Sequence, residues 1–535
     1  MSRRALLGGA ALGTGALLLG RNPISSANPL GRSAQAGVPL ARGARFGQGV
    51  SSGQPGTDAI TLWSKLDGLQ QSGRLQVEIS PDAEFANVIY RKDVVADADS
   101  GFAVHHRAQG ASFKPGEQYF YRFFTCEEGS PVGRFRTARP ADSREPVRMG
   151  FFSCQAFEAG FYNAHEALAK EPDLDLIVCL GDYVYERTFY DANGVRKDTT
   201  GANKDSEVQT LPEYRDKYAL YHSDPRLLEL RRQFPMLTIW DDHEVEDNYA
   251  RDKPGEATKN VRVPFLDRRA NGYRAWFEHM PRVRVQGEPD RIYGRVPLGA
   301  NAEIFLLDQR QYRDDQPCDD QFFVPCTESE APGRTFLGGA QKEWLKGALA
   351  DSRATWKIVG NQDMIMSLDG PPRNEINKDQ WDGYAAEREE LVNFIGARGI
   401  KDVSFVTGDI HTYFAGNVTA SGRQGAPTDP PPQATEFVTG SMTSEGIVPA
   451  QNREQSSLLV DSSVIANNPH IAFSEMSSKG YGIVEARPDE LRVTYRAVRT
   501  TKQPTSEVFD LAEFRVKRGT PQVEIVRTAG GARRP

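Results

Sequence analysis

Asp182 and Tyr185 stand three residues apart in Gly181-Asp182-Tyr183-Val184-Tyr185-Glu186, directly after the apolar run LDLIVCL. The same pattern, an apolar run that stops in metal-ligand side chains, recurs at Trp240-Asp241-Asp242-His243-Glu244 and at Gly408-Asp409-Ile410-His411. Cys154 ends another such run in Phe151-Phe152-Ser153-Cys154-Gln155, and Gln362 ends one in Val359-Gly360-Asn361-Gln362. Strands that each finish in such groups place them along one sheet edge, where loops can assemble a polynuclear metal site. The chemistry this implies is that of a metallohydrolase.

Hydrolysis of a phosphate ester is a reaction such a site would suit. The anionic ester repels hydroxide, and two cations that neutralise the phosphoryl oxygens and acidify a bound water remove both obstacles. Asp182 is the expected carboxylate shared by the two ions. Phenolate and thiolate donors suit a trivalent iron better than zinc or magnesium, which groups Cys154, Asp182, Tyr185 and His411, although Tyr185 by itself could be a packed aromatic. Asp182, Asp242, Asp409 and an amide oxygen, from Gln362 or its neighbour Asn361, leave only oxygen for the second ion. That shell favours calcium or another hard cation. His243, beside Asp242, could protonate the leaving alkoxide or hold the phosphate.

The elements that must position these groups are legible in outline. From about Val147, apolar strands (VRMGFFS, LDLIVCLGD, PMLTIW, EIFLLD, WKIVGN, DVSFVTGD) alternate with amphipathic stretches at Phe161–Lys170, Glu213–Arg232, Gln341–Asp351 and Ala385–Arg398. This alternation predicts a layered α/β domain with a largely parallel or mixed sheet. Tyr481–Ala486 and Glu490–Ala497 predict a closing hairpin. Residues 46–138 instead alternate apolar and polar positions in short segments such as Ala59-Ile60-Thr61-Leu62-Trp63, with Gly and Pro between them, and predict a small antiparallel β-sandwich. The expected organisation is a signal peptide at 1–36, the sandwich at 37–140, the catalytic domain at 145–505 and a C-terminal segment at 506–535.

Ser2-Arg3-Arg4-Ala5-Leu6-Leu7 puts a twin arginine before a Gly/Ala-rich apolar run too short to span a bilayer, and Ala34-Gln35-Ala36 offers a peptidase small residues. This predicts export by the Tat translocase, cleavage before Gly37 and a periplasmic or secreted product. Removing the four arginines of residues 1–36, which contain no acid, takes the formal charge from −7 to −11. Such a surface argues against general nucleic-acid or anionic-membrane binding. Of the five cysteines, Cys318 and Cys326 could close one disulfide, and Cys179 reads as a buried small residue.

SCQ, GDYVYE, WDDHE, GNQ and TGDIH, in this order, resemble the PhoD-like alkaline phosphatase family of the calcineurin-like metallophosphoesterase superfamily. FGQGVSSGQP near the start, LDQRQYR at 307–313 and LGGAQKEWL at 337–345 are similar to further landmarks of that family. The resemblance implies a secreted phosphomonoesterase and phosphodiesterase acting on small phosphate esters. It implies Fe3+ at Cys154, Asp182, Tyr185 and His411, and Ca2+ at Asp182, Asp242, Gln362 and Asp409. Two rival readings remain: a phosphodiesterase or phospholipase D acting on lipids or wall polymers, and a non-catalytic calcium-binding surface protein.

Overall fold

The structure is a computed structural model, and it describes residues 37–188, 194–255, 258–370, 374–422, 431–446 and 456–533. The expected signal peptide lies outside the described residues. Two large sheets form most of the region after residue 145. The first has seven strands in the order Met236–Ile239, Leu176–Leu180, Val147–Phe152, Lys479–Ala486, Glu490–Val498, Val508–Lys517 and Glu524–Thr528. Its first three strands run parallel and the rest antiparallel. The second has eight strands, of which Ala302–Leu306, Trp356–Asn361, Val403–Thr407 and Ala434–Val438 are parallel neighbours.

The two sheets share one apolar core. Phe437 and Phe473 of the eight-stranded sheet meet Phe514 of the other at ring-centroid distances of 5.9 and 5.3 Å. Period-two alternation divides each central strand between two environments: Ile358 faces the core between the sheets, while Val359 joins a second core with Leu345, Leu391 and Ile395 of the helices Gly338–Asp351 and Ala385–Ala397. Strands buried on both faces read as continuous apolar runs, which is why this part of the α/β pattern was visible in the sequence.

The N-terminal residues form a three-stranded sheet (Val50–Gly53, Ala59–Lys65, Ala103–Gln109) and a four-stranded sheet (Tyr90–Ala96, Gly73–Ser80, Gln118–Phe124, Gly133–Arg136), all antiparallel. Leu62, Val77, Tyr121 and Phe123 pack in the core between them. The single helix expected from Glu213 to Arg232 is two helices, Leu211–Tyr221 and Pro225–Gln233. Pro225 has no N–H to continue the first helix and its ring fits the first position of the next, while the Asp224 side chain caps that helix by accepting from Arg226 N at 2.9 Å. Residues 506–533 supply Val508–Lys517 and Glu524–Thr528 to one sheet and Ala532–Arg533 to the other. Cys318 and Cys326 are disulfide-bonded, Cys179 is buried in its strand and Cys126 is exposed. Among the described residues, no helix is long and apolar enough to cross a membrane.

The topology brings the site segments to one edge. All five follow the carboxyl ends of parallel strands: Val147–Phe152, Leu176–Leu180 and Met236–Ile239 in one sheet, Trp356–Asn361 and Val403–Thr407 in the other. The pairings Phe152 with Cys179, Ile239 with Leu180, and Asn361 with Thr407 hold these ends level.

Candidate metal centre

The loops that leave these strands turn abruptly. Gly181 has φ 107°, and a Cβ there would come within 2.5 Å of Asp241 Cβ, so the Asp182 and Asp242 loops pass too closely for any other residue. Four of the candidate ligands themselves adopt left-handed backbone, with φ of 59° at Cys154, 52° at Asp182, 58° at Asp409 and 57° at His411. Each such non-glycine conformation costs about 1 kcal/mol or more. The surroundings over-determine it: the buried Glu244 carboxylate accepts the N–H groups of Asp182 (3.1 Å), Tyr183 (2.6 Å) and Asp241 (2.7 Å), fastening two of the loops together.

On one side of the site, ligand atoms of Cys154, Asp182 and His411 lie within 4.8 Å of one another. Tyr185 joins them, its hydroxyl 3.1 Å from Asp182 Oδ2 and 3.1 Å from His411 Nε2. His411 donates Nδ1–H to the Glu445 carbonyl, which can only accept, so Nε2 carries the lone pair that faces the cluster. Burial holds this imidazole down at about 3, hence neutral. Burial, with the charges of Asp182 and Asp409, pushes the Cys154 thiol well above its ordinary range.

On the other side, oxygen atoms of Asp182, Asp241, Asp242 and Asp409 lie within 4.8 Å of one another. Asp242 Oδ2 accepts from Asn248 N at 2.7 Å, while its Oδ1 has no hydrogen-bond partner. The two amides differ in their hydrogen bonds. Asn361 uses its oxygen on Gln309 Nε2 (2.5 Å) and Trp381 Nε1 (3.3 Å). Gln362 donates Nε2 to the Trp240 and Leu307 carbonyls at 2.8 and 3.1 Å, which leaves its Oε1 buried and unpartnered. Asp182 belongs to both groups, and its Oδ1 is likewise unpartnered.

His243 packs its ring on Tyr185, with centroids 4.1 Å apart and planes 28° from parallel. Its Nδ1 is 2.7 Å from Glu186 Oε2, and its Nε2 is 4.0 Å from Asp242 Oδ2. Burial opposes a charged imidazole, but Asp242, Glu186 and Asp182 outweigh it and hold this histidine well above its ordinary value.

The structure thus brings together Cys154, Asp182, Tyr185, Asp242, His243, Asp409 and His411, and ties Gln362 to the strand end that leads into Asp241-Asp242. It also adds residues that sequence reasoning passed over. Glu186 and Glu244 lay inside the quoted motifs as unassigned letters. Asp363, Asp379 and Gln380 had no signal, because each acts through a neighbour in space. Gln380 Nε2 donates to Asp409 Oδ2, and Asp363, Asp379 and Asp409 group their oxygens within 4.8 Å.

The donor set fits cations. Asp182 Oδ1, Asp241 Oδ2, Asp242 Oδ1, Gln362 Oε1 and Asp363 Oδ2 are all buried without a hydrogen-bond partner. An unpaired buried oxygen costs about 1–3 kcal/mol, more when charged, so this concentration calls for positive charge beyond what the side chains supply. Burial and the mutual repulsion of Asp241, Asp242 and Asp409 push the Asp409 carboxyl well above its usual range, which expresses the same deficit.

Comparison with known proteins agrees with this geometry. The sequence model of the PhoD-like phosphatase family matches residues 149–495, and that of the PhoD-like phosphatase N-terminal domain matches residues 32–139. Alkaline phosphatase D of Bacillus subtilis (strain 168) is 34% identical over 486 residues, covering 88% of this chain and 80% of that protein. A solved structure of PhoD superposes with a TM-score of 0.83 at 30% identity, over 92% of this chain and 94% of that one. Purple acid phosphatase PPD1 from yellow lupin (Lupinus luteus) seeds shares the fold alone, with a TM-score of 0.53 and 12% identity over 88% of this chain and 74% of that one. The match over most of the chain, on a sheet edge built of cation-demanding oxygens, places the chain in the PhoD-like phosphatase family, as a phosphoric ester hydrolase.

Proposed function

We propose that the chain is an exported alkaline phosphatase that hydrolyses phosphate monoesters, and diesters as well. In this reading Cys154, Asp182, Tyr185 and His411 hold iron(III), and Asp182, Asp242, Gln362 and Asp409 hold calcium. The observation that carries it is the sorting of donors around Asp182: sulfur, phenol and imidazole gather on one side, and only oxygens, several of them unpartnered, on the other. A set that includes thiolate, phenolate and imidazole and a set of oxygens alone select different ions.

When bound, the two cations supply Lewis acidity, neutralising phosphoryl oxygens and making water more acidic. The chain's own residues orient and move protons. Glu186 accepts the Nδ1–H of His243 and the Tyr185 ring stacks on that imidazole, so its Nε2 edge is fixed beside Asp242. Water adds through oxygen to phosphorus as the ester P–O bond breaks, Nε2–H of His243 gives its proton to the departing alkoxide, and the proton shed by the attacking water restores the imidazolium for the next turnover. The products are the alcohol and phosphate, or a monoester when the substrate is a diester.

Hydrolysis of p-nitrophenyl phosphate and bis(p-nitrophenyl) phosphate, with iron and calcium measured on the same preparation, tests the reading. Turnover of both esters by protein that carries both metals is expected. Calcium without iron and no turnover would instead identify a calcium-binding surface module, and turnover of the diester alone a dedicated phosphodiesterase. For export, replacing Arg3 and Arg4 by Lys should leave unprocessed precursor inside the cell, since the Tat translocase reads the arginine pair. Normal secretion of that variant would contradict the export route.

A further inference from the structure

Behind the oxygen-only side of the site lies Arg310, completely buried. Its Nε donates to Asp241 Oδ1 at 2.5 Å, Nη1 and Nη2 donate side by side to the two oxygens of Asp379 at 2.9 and 2.7 Å, and Nη2 also reaches Asp363 Oδ1 at 3.1 Å. None of these three carboxylates is a proposed calcium ligand, yet each is linked to one. Asp241 precedes Asp242, Asp363 follows Gln362, and Asp379 precedes Gln380, which donates to Asp409. One guanidinium therefore ties together the loops that carry Asp242 and Gln362 and the segment whose Gln380 holds Asp409.

The residues beside it grip the same loops. Gln309 Oε1 accepts the backbone N–H groups of Gln362 and Asp363 at 2.8 and 2.9 Å, and Asp308 Oδ1 accepts from Trp240 Nε1 at 3.2 Å. Arg313 holds Asp379 from behind, with Nη2 2.7 Å from its Oδ1. Arg310 itself stops short of the ligand: its Nη2 is 3.7 Å from Asp242 Oδ1, beyond hydrogen-bond range, and that oxygen keeps no partner. The planar fork of arginine is what allows one side chain to fix three carboxylates in set directions, which the point charge of lysine does not do.

We propose that Arg310 is the positioning residue of the oxygen-ligated cation position: it sets the spacing of Asp242, Gln362 and Asp409, and so the affinity for calcium, while the position at Cys154 and Tyr185 does not depend on it. The proposal rests on the two-cation reading above. Two effects of Arg310 oppose each other. Its charge repels a cation, so loss of charge alone would tighten binding; its fork orders the ligand loops, so loss of the fork weakens binding. Ordering is the larger effect.

The test uses purified holoenzyme treated with a calcium-selective chelator and then titrated with calcium chloride by calorimetry, with the visible absorbance followed on the same samples. Arg310→Lys keeps the charge and removes the fork. Its calcium Kd should rise about 10- to 100-fold, the scale of losing a partner behind a metal ligand, with the iron band unchanged. Calcium binding as tight as in the native enzyme, or tighter, overturns the proposal, as does parallel loss of both metals, which would mark a general structural role. Should Arg310→Lys fail to melt cooperatively, Asp379→Asn reads the same link while sparing the guanidinium: calcium affinity falls and the band persists, and an unchanged affinity overturns the proposal. If the native enzyme itself takes up no calcium, the two-cation reading fails first and this proposal falls with it, an outcome distinct from the variant's behaviour.

Discussion

At the scale of single residues, each ligand candidate carries a distinct observable. Tyr185 offers a phenol oxygen within 3.1 Å of both Asp182 and His411. Tyr185→Phe removes one oxygen from a fully packed ring. It should abolish the phenolate-to-iron absorbance while far-ultraviolet circular dichroism stays native; a colourless native enzyme that is active without iron would contradict the assignment. Asp409→Asn weakens only the oxygen-rich side. It should lower turnover about 10- to 100-fold and leave the colour, and added calcium should restore part of the loss. These residue types were legible because a rare donor at a strand end stands out against apolar neighbours. Asp363, Asp379 and Gln380 were not, since a carboxylate that acts by holding another residue looks like any surface acid until the fold closes around it.

At the scale of elements, the loop that carries Asp182 is braced from the N-terminal sheets. His222, in the break between the two helices at 211–221 and 225–233, donates Nδ1–H to Gln48 Oε1 (3.1 Å) and accepts the Tyr183 hydroxyl on Nε2 (2.9 Å). Arg231 donates to the same hydroxyl at 2.8 Å and lies 4.6 Å from the ring centre of Trp63, which is fully buried. Trp63→Ala should cost about 3–5 kcal/mol in urea unfolding, and the protein that remains folded should lose iron faster on dialysis. Equal iron retention would show the brace to be irrelevant to the loop. The helix break itself was readable from Asp224-Pro225, a cap followed by a proline, but the apolar period running through both helices hid it. The helix Phe265–His279, a further support, escaped notice because its sequence is crowded with charge and aromatic residues, and it packs through Gly272, where a Cβ would lie 2.6 Å from Glu244 O.

At the scale of the whole molecule, buried histidines set the acid limit. His165 is completely buried, donates Nε2–H to Gln155 Oε1 at 2.6 Å, and burial holds its pKa down at about 3, against an ordinary value of 6.5. His105 and His106 are lowered to about 4 in the same way, and His222 and His279 fall well below the ordinary value. The unfolded chain binds protons that the fold refuses. Stability from these residues is therefore complete above about pH 6.5 and is lost as pH falls towards 3, each contributing about 1.4 kcal/mol per pH unit. Glu436 and Asp461, raised to about 7 chiefly by burial, act in the opposite sense: the stability they add is complete below about pH 4 and is lost as pH rises to about 7. Urea midpoints measured from pH 4 to 9 should rise on the acid side and level off near neutrality, and His165→Gln, which retains a donor for Gln155, should flatten the acid limb. An unchanged acid slope would mean that His165 is protonated in the fold.

The left-handed backbone at Cys154, Asp182, Asp409 and His411 has a consequence for how the protein matures. Glu244 already fastens the Asp182 loop, and ligation would add a second restraint at all four positions, so these loops are held more tightly when loaded than when empty. Stripping the metals should then raise amide hydrogen exchange at Ser153–Gln155, Asp182–Glu186 and Asp409–His411 while the flanking strands stay protected. A quality-control step that samples loop opening could, by that difference alone, tell a loaded molecule from an empty one.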